Sequence, residues 1–342
     1  MIGGVVVLVL LVVVVVATRG SGDDPKKTSG KAASKAGQAL GQAAGLTYSG
    51  TYGGNQATFS VTKAGTARGS YTSHGSPVSR VDIQDTTYVK AGSSYWTSQG
   101  QTSTGAGKAA DKWAKSSDTA SDLKLADLSP TKLAQTLEQA GNDPDAKKTP
   151  VNGTPAIKMT VSEMTYYIST SEPRRLLRIE GSVGSEAYSL DVTPLPASAM
   201  SPVFSQLRND VQHLKDVFDP AITVMPMGRI KFGSCTESGC TVHGDVLPSA
   251  IGSSAGTVQI TMTVKFSEDG PTVSTCSGSG STPRSRQTTI TCRASGGAWS
   301  SWYRSHNGGF TIHVSSTFNA TVNSAGDVSS LLTKLTQEQQ AG

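Results

Sequence analysis

The sequence predicts an α+β protein that opens with a transmembrane helix and closes in an all-β sandwich. Three observations predict it. Residues 2–17 form an apolar run without charge or polar side chain, ending abruptly at Thr18-Arg19-Gly20. The stretch up to about residue 195 mixes short strand-like runs with a few helical segments. From Ala221 the pattern turns almost purely strand-like, and all 4 cysteines lie in that part.

At 1.5 Å per residue the apolar run spans roughly 24 Å as a helix, slightly short of a ~30 Å bilayer core. It reads as a membrane anchor over residues 1–18. The alternative is a cleaved signal segment, because Val15-Val16-Ala17 places small residues where a signal peptidase needs them. No basic residue precedes the run, which favours the anchor. Arg19, Lys26, Lys27, Lys31 and Lys35 follow it, so the positive-inside rule read literally would hold the body in the cytoplasm. A natural start upstream of Met1, with a basic or Pro-rich stretch, reconciles those charges with a body outside; the alternative is a flexible spacer, with Asp23 and Asp24 among the bases, that translocates regardless. The expected location is a cell membrane, single-pass, with the soluble part outside the cytoplasm.

The length of 342 residues allows two domains after the anchor. Charged residues are only 16% and aromatics 6%, a mix that suits turn-rich β modules better than a cytosolic helical enzyme. The net charge of +5 is carried largely by a Gly/Ser/Lys/Asp linker over residues 19–36, leaving the body near neutral. Nucleic-acid binding needs a clustered basic stripe. The pairs Arg174-Arg175 and Arg284/Arg286 are too few, so no nucleic-acid partner is expected.

The even cysteine count reads as disulfides under oxidising conditions. Cys235 pairs with Cys240 across a short turn, and Cys276 with Cys292 across a Ser/Gly-rich excursion. Sequence alone leaves the other connectivities open. The rival reading is a four-thiolate zinc site, but the wide second spacing is not a zinc knuckle. No metal and no cofactor are expected.

The first folded region, residues 37–197, starts with an Ala-rich helix over 35–44. Strands follow over 46–52, 57–63, 66–72, 77–83 and 86–90, separated by Gly-containing turns. A helix over 106–115 carries Trp113. Ser129-Pro130 starts another, with Ser as cap and Pro in the first turn. Four more strands occupy 154–161, 164–169, 176–183 and 187–192.

This order resembles the LolA/LppX/LprG lipoprotein-fold family. The elements that carry the resemblance are the N-terminal helix, the consecutive strands, and Trp113 followed by Leu128-Ser129-Pro130-Thr131-Lys132-Leu133. A Gly153-to-Met159 strand and the Ser169-to-Ile179 strand pair complete it. The resemblance covers roughly residues 35–195 and rests on order rather than on a diagnostic motif. It implies a half-open antiparallel β-barrel that closes over helices around an apolar cavity for acyl chains or lipidated cargo.

Ser201-Pro202 opens a connecting helix over 198–219, with Val203, Leu207, Val211, Leu214 and Phe218 on one face. In the last region, 220–342, Val258, Ile260, Met262, Val264 and Phe266 alternate strictly with polar residues, as in a strand with one wet face. Six or seven such strands suit an immunoglobulin-like sandwich stapled by both disulfides, followed by a short helix over 328–337.

The chemistry is sparse. Gly252-Ser253-Ser254-Ala255-Gly256 matches a nucleophile-elbow pattern but lacks the strand–turn–helix context. Ser60/Lys63 and Ser129/Lys132 match S-x-x-K without companions, and the 5 histidines are scattered. No enzyme is expected. Tyr48, Tyr52, Phe59, Ile83, Tyr88, Met159, Leu177 and Ile179 are candidates to line an acyl-sized pocket, the alternative being a closed core under Trp113, Leu133 and Leu137. Two functions follow. One is a membrane-tethered protein that binds a lipid or lipidated ligand. The other is a non-enzymatic scaffold that presents Trp299, Trp302 and Tyr303 to an envelope protein partner.

Overall fold

A computed structural model describes residues 24–116, 123–250, 257–306 and 311–341. The first helix is α1 (Pro25–Gly41), whose cap Asp24 accepts from the Lys26 amide while Pro25 opens the first turn. Five strands follow, β1 (Gly45–Tyr52), β2 (Asn55–Thr62), β3 (Ala67–Ser73), β4 (Ser76–Ile83) and β5 (Thr86–Ala91). Next come α2 (Ser93–Ser98), α3 (Ser103–Ala109), β6 (Trp113–Lys115) and α4 (Pro130–Glu138). The strands β7 (Lys147–Lys148), β8 (Ala156–Val161), β9 (Met164–Ser169), β10 (Leu176–Val183) and β11 (Glu186–Leu195) complete the first half. The second half holds α5 (Met200–Gln212), β12 (Val217–Phe218), β13 (Ile222–Pro226), β14 (Lys231–Thr236), β15 (Gly239–Ala250) and β16 (Thr257–Ser267). It ends with β17 (Thr272–Pro283), β18 (Thr288–Ala294), α6 (Gly297–Ser305), β19 (His313–Val322) and α7 (Ala325–Ala341).

Fifteen strands join one open sheet in the order β17-β16-β19-β12-β6-β5-β4-β3-β2-β1-β11-β10-β9-β8-β7. Every pairing is antiparallel except β6 with β12, where Ala114 lies beside Phe218 in a parallel bridge. The remaining strands build a 4-stranded sheet around β15, with β13 and β14 along one edge and β18 on the other.

Each face of the large sheet has its own cover. On the inner face of the first half, Leu46, Phe59, Val61, Ile168, Ile179 and Leu190 pack against Ala33, Ala36 and Leu40 of α1 and Leu133 and Leu137 of α4. Small residues let the two helices touch: Gly37 faces the Ala134 carbonyl with no room for a side chain. On the outer face, Val81, Ile83 and Tyr88 belong to a second cluster with Phe204, Leu207 and Val211 of α5 and Val328, Leu331 and Leu335 of α7. Strand β4 is thus buried on both sides along its second half.

The second cluster continues between the two sheets of the second half. The buried residues of β16 meet Val242, Val246 and Ile290, and Trp299 of α6 packs edge-on against Phe266 at 5.6 Å between ring centroids. The Ser/Gly excursion between Cys276 and Cys292 is itself mostly strand, because its glycines admit the neighbouring sheet. A Cβ at Gly278 would collide with the Thr291 carbonyl oxygen. The disulfide Cys276–Cys292 ties β17 to β18, and Cys235–Cys240 closes the β14–β15 hairpin.

These findings correct the expected fold. Among the described residues the protein is mostly β, with 46% strand against 28% helix, rather than α+β. The half-open barrel followed by a separate all-β sandwich is replaced by one large, mixed, unclosed sheet running through both halves, since β12 links β6 to β19. Among the described residues no helix is long and apolar enough to cross a membrane. The expected transmembrane helix and the single-pass location at a cell membrane are therefore not supported, and the run 2–17 on which they rested lies outside the described residues.

Local corrections have local causes. Residues 25–36, read as linker, are helical from the Asp24 cap onward, with Lys26, Lys27, Lys31 and Lys35 on the exposed face. Trp113 lies on a strand, because Asp111 adopts φ 58° after α3 and redirects the chain. The connecting helix stops at Gln212, so Phe218 is a strand residue, and the C-terminal helix is longer than 328–337.

A methyl at Gly37 would approach the Ala134 carbonyl oxygen to 2.8 Å and Glu138 Cγ to 2.9 Å. Gly→Ala inside an exposed helix normally gains about 1 kcal/mol. At this contact Gly37→Ala is expected instead to cost about 1–3 kcal/mol, read from the urea midpoint. Replacing Cys276 and Cys292 together by Ser should cost about 3 kcal/mol, and Cys235 with Cys240 about 2 kcal/mol. The difference follows from sequence separations of 16 and 5.

Candidate ligand-binding groove

The eight pocket candidates do not share one space. Tyr48, Tyr52, Phe59, Met159 and Ile179 belong to the inner cluster, each at most 8% exposed, and Tyr52 also lines a polar pocket of about 450 Å³ with Tyr71 and Tyr95. Ile83 and Tyr88 face the opposite side, beneath α5 and α7, where Asn323 donates to the Tyr88 hydroxyl. Strand alternation explains this: Arg80 and Asp82 take the inner positions of β4 and form a two-pronged ion pair at 2.7 Å, with Arg80 also donating to the Leu123 carbonyl. Leu177 packs beside Val151, Ala156 and Tyr167 on an outer satellite. A bulge between Leu176 and Arg178 shifts the alternation, so that Leu176 and Ile179 both point inward.

The inner tyrosines are packed as core. The Tyr48 hydroxyl donates to the Leu128 carbonyl. Burial pushes its pKa well above the ordinary 10.0, and Tyr166 beside it adds to the shift. Tyr166 is pushed up to about 12, by burial first and Tyr188 second.

Of the three aromatic residues expected to form a surface around α6, one is inside and two are half-buried. Trp299 is fully buried and its indole donates to the Thr236 carbonyl. Trp302 is half-buried and donates to Glu268, and Tyr303 packs against Trp299 at 6.2 Å. Trp302 and Tyr303 thus cover the edge of the second core and remain partly exposed. The nucleophile-elbow pattern at 252–256 lies outside the described residues, and the described residues hold no group of His, Cys, Asp and Glu suited to a metal.

An open apolar groove lies elsewhere among the described residues. A groove of about 650 Å³ runs between the end of β2, the start of α5 and the last turns of α7. Its floor is Ala44, Met200 and Phe204, the latter two each 4% exposed. Gly45 makes room for that floor: a Cβ there would meet the Met200 sulfur at 2.6 Å. The β2–β3 turn forms one wall and is held by the Lys63 amide donating to the Ala44 carbonyl and Thr131 donating to the Lys63 carbonyl. Helix α7 forms the other wall, and Glu338 accepts from the hydroxyls of Thr62 and Thr66. Arg208 of α5 donates to Gln339 and completes the clamp. Lys63 and Lys334 stand exposed on the rim, with no ion pair among the described residues.

No sequence signal pointed to this groove. The helical face Leu207–Val211 was legible, but Met200 and Phe204 were not singled out, and Thr62 meets Glu338 across 276 residues. The sequence matches no protein-family model and no curated protein.

Buried phenols with raised pKa values stabilise the fold fully below the unfolded value of 10.0, and that contribution is lost as pH climbs to about 12. The melting temperature is therefore expected to hold between roughly pH 7 and 9 and to fall from pH 10 to 12. In Tyr166→Phe the alkaline fall should be shallower.

Proposed function

We propose that the protein is a non-catalytic binding protein for an amphipathic ligand with an acyl chain and an anionic head, held in the groove beneath α7. The observation that carries this reading is the pairing of an apolar floor, Ala44, Met200 and Phe204, with two exposed rim cations, Lys63 and Lys334. A volume of about 650 Å³ falls within the range of small-molecule sites. Few polar groups line the floor, as an acyl chain requires. The groove lies apart from the inner core of the first half, into which α1 and α4 pack.

The test uses the full chain with palmitate as probe, read by native mass spectrometry and calorimetry. One palmitate per chain is expected. Lys63→Glu combined with Lys334→Glu should weaken it at least tenfold, since losing two attractive charges and adding two repulsive ones is worth about 1.4 kcal/mol or more. Ala197→Trp, at the exposed mouth, should block it while leaving the melting temperature within a few degrees of the parent. Failure of palmitate to bind, or binding insensitive to all three substitutions, would reject the groove as the site.

A further inference from the structure

The parallel bridge between β6 and β12 brings together two segments more than a hundred positions apart, and both are basic. Lys108, Lys112 and Trp113 arrive from the α3–β6 connection, and His213, Lys215 and Phe218 from the α5–β12 connection. They enclose a pocket of about 380 Å³. The chain is held in place on both sides. The Asp111 amide donates to the Ala91 carbonyl at 2.9 Å, and the Asp216 amide to the Asn323 carbonyl at 2.9 Å. His213 is fixed by donating from Nδ1 to the Asn209 carbonyl at 2.7 Å.

The charge of the lining is one-sided. Three lysines face a single acid, Asp216, which pairs with its neighbour Lys215 at 3.6 Å. Lys108 and Lys112 have no ion pair among the described residues, and both are exposed. Asn319 and Thr321 of β19 add uncharged hydrogen-bonding groups. The half-buried Trp113 ring and Phe218 supply an apolar wall. We propose that this pocket binds a phosphate group carried on an apolar or aromatic body. The lysines neutralise the phosphate, the β19 side chains orient it, and the indole packs against the body. The volume suits a small phosphorylated molecule or a single phospholipid headgroup. This site is separate in residues and in chemistry from the groove beneath α7, and does not depend on it.

The test uses the full chain at low salt with inorganic pyrophosphate as probe, followed by calorimetry and by tryptophan fluorescence. Saturable binding is expected, weakened at least tenfold at 0.5 M salt because exposed charges are screened. Lys108→Glu with Lys112→Glu should reduce affinity at least tenfold, whereas Lys27→Glu on the exposed face of α1 should leave it unchanged. Trp113→Phe should remove the fluorescence response while calorimetric binding persists. Phosphatidylglycerol and phosphatidylcholine vesicles distinguish the sources. Retention on the phosphatidylglycerol vesicles alone, competed by pyrophosphate, identifies a headgroup. Pyrophosphate binding without retention identifies a soluble phosphorylated ligand. No response to pyrophosphate or to either vesicle, or equal binding by the Lys108/Lys112 variant and the parent, would overturn the proposal.

Discussion

Strands β4 and β5 must be covered on both faces, and the rest of the molecule is arranged around that requirement. Val78 and Val89 face the inner core beside Tyr95 and Trp96 of α2, while Val81, Ile83 and Tyr88 face α5 and α7. An antiparallel sheet with one wet face could have ended here as a free half-barrel. With apolar residues on both sides, it needs a second layer of helices, and those helices come from the part of the chain beyond β11. The two halves therefore share a core, and removing one would leave the other with an exposed apolar face.

The same logic extends along the sheet. Beyond β6 the hydrogen-bonding edge is capped by β12, only 2 residues long, which passes the ladder on to β19, β16 and β17. This part packs against the smaller sheet, and β18 comes close where β17 carries Gly278 and Gly280 opposite Met262 and Ile260. Absent side chains on one strand accommodate the side chains and backbone of the next layer, at native packing density. The Cys276–Cys292 disulfide lies beside this contact and fastens it. On the outer face, Thr261 with Ser279 and Thr263 with Ser277 line up across strands, so the Ser/Thr richness reflects a solvated face.

Both candidate sites are by-products of joining the halves. The groove exists because α7 lies back over the β2–β3 turn and is clamped there by Glu338 and Gln339. The basic pocket exists because a parallel bridge sets the ends of α3 and α5 side by side. Neither lies in the inner face of the first half, where the tyrosines are desolvated and hydrogen-bonded as core.

Several local elements were legible in the residues themselves, though the architecture was not. Period-two alternation marked β16, Ser129-Pro130 marked the start of α4, and the spacing of the cysteines matched both disulfides. These signals are local: a cap, a turn or a strand face is decided within a few residues. What only the tertiary structure decided is which faces meet. The bulge at Leu176–Arg178 reverses a strand's polarity, Arg80 and Asp82 claim the inner face by pairing with each other, and β12 merges two expected domains into one sheet. Thr62 with Glu338 and Lys112 with Lys215 are brought close by contacts that leave no periodic trace in the chain. Long-range proximity is set by the packing of whole elements, so the sequence determined the elements and their apolar faces, and the fold alone determined the sites.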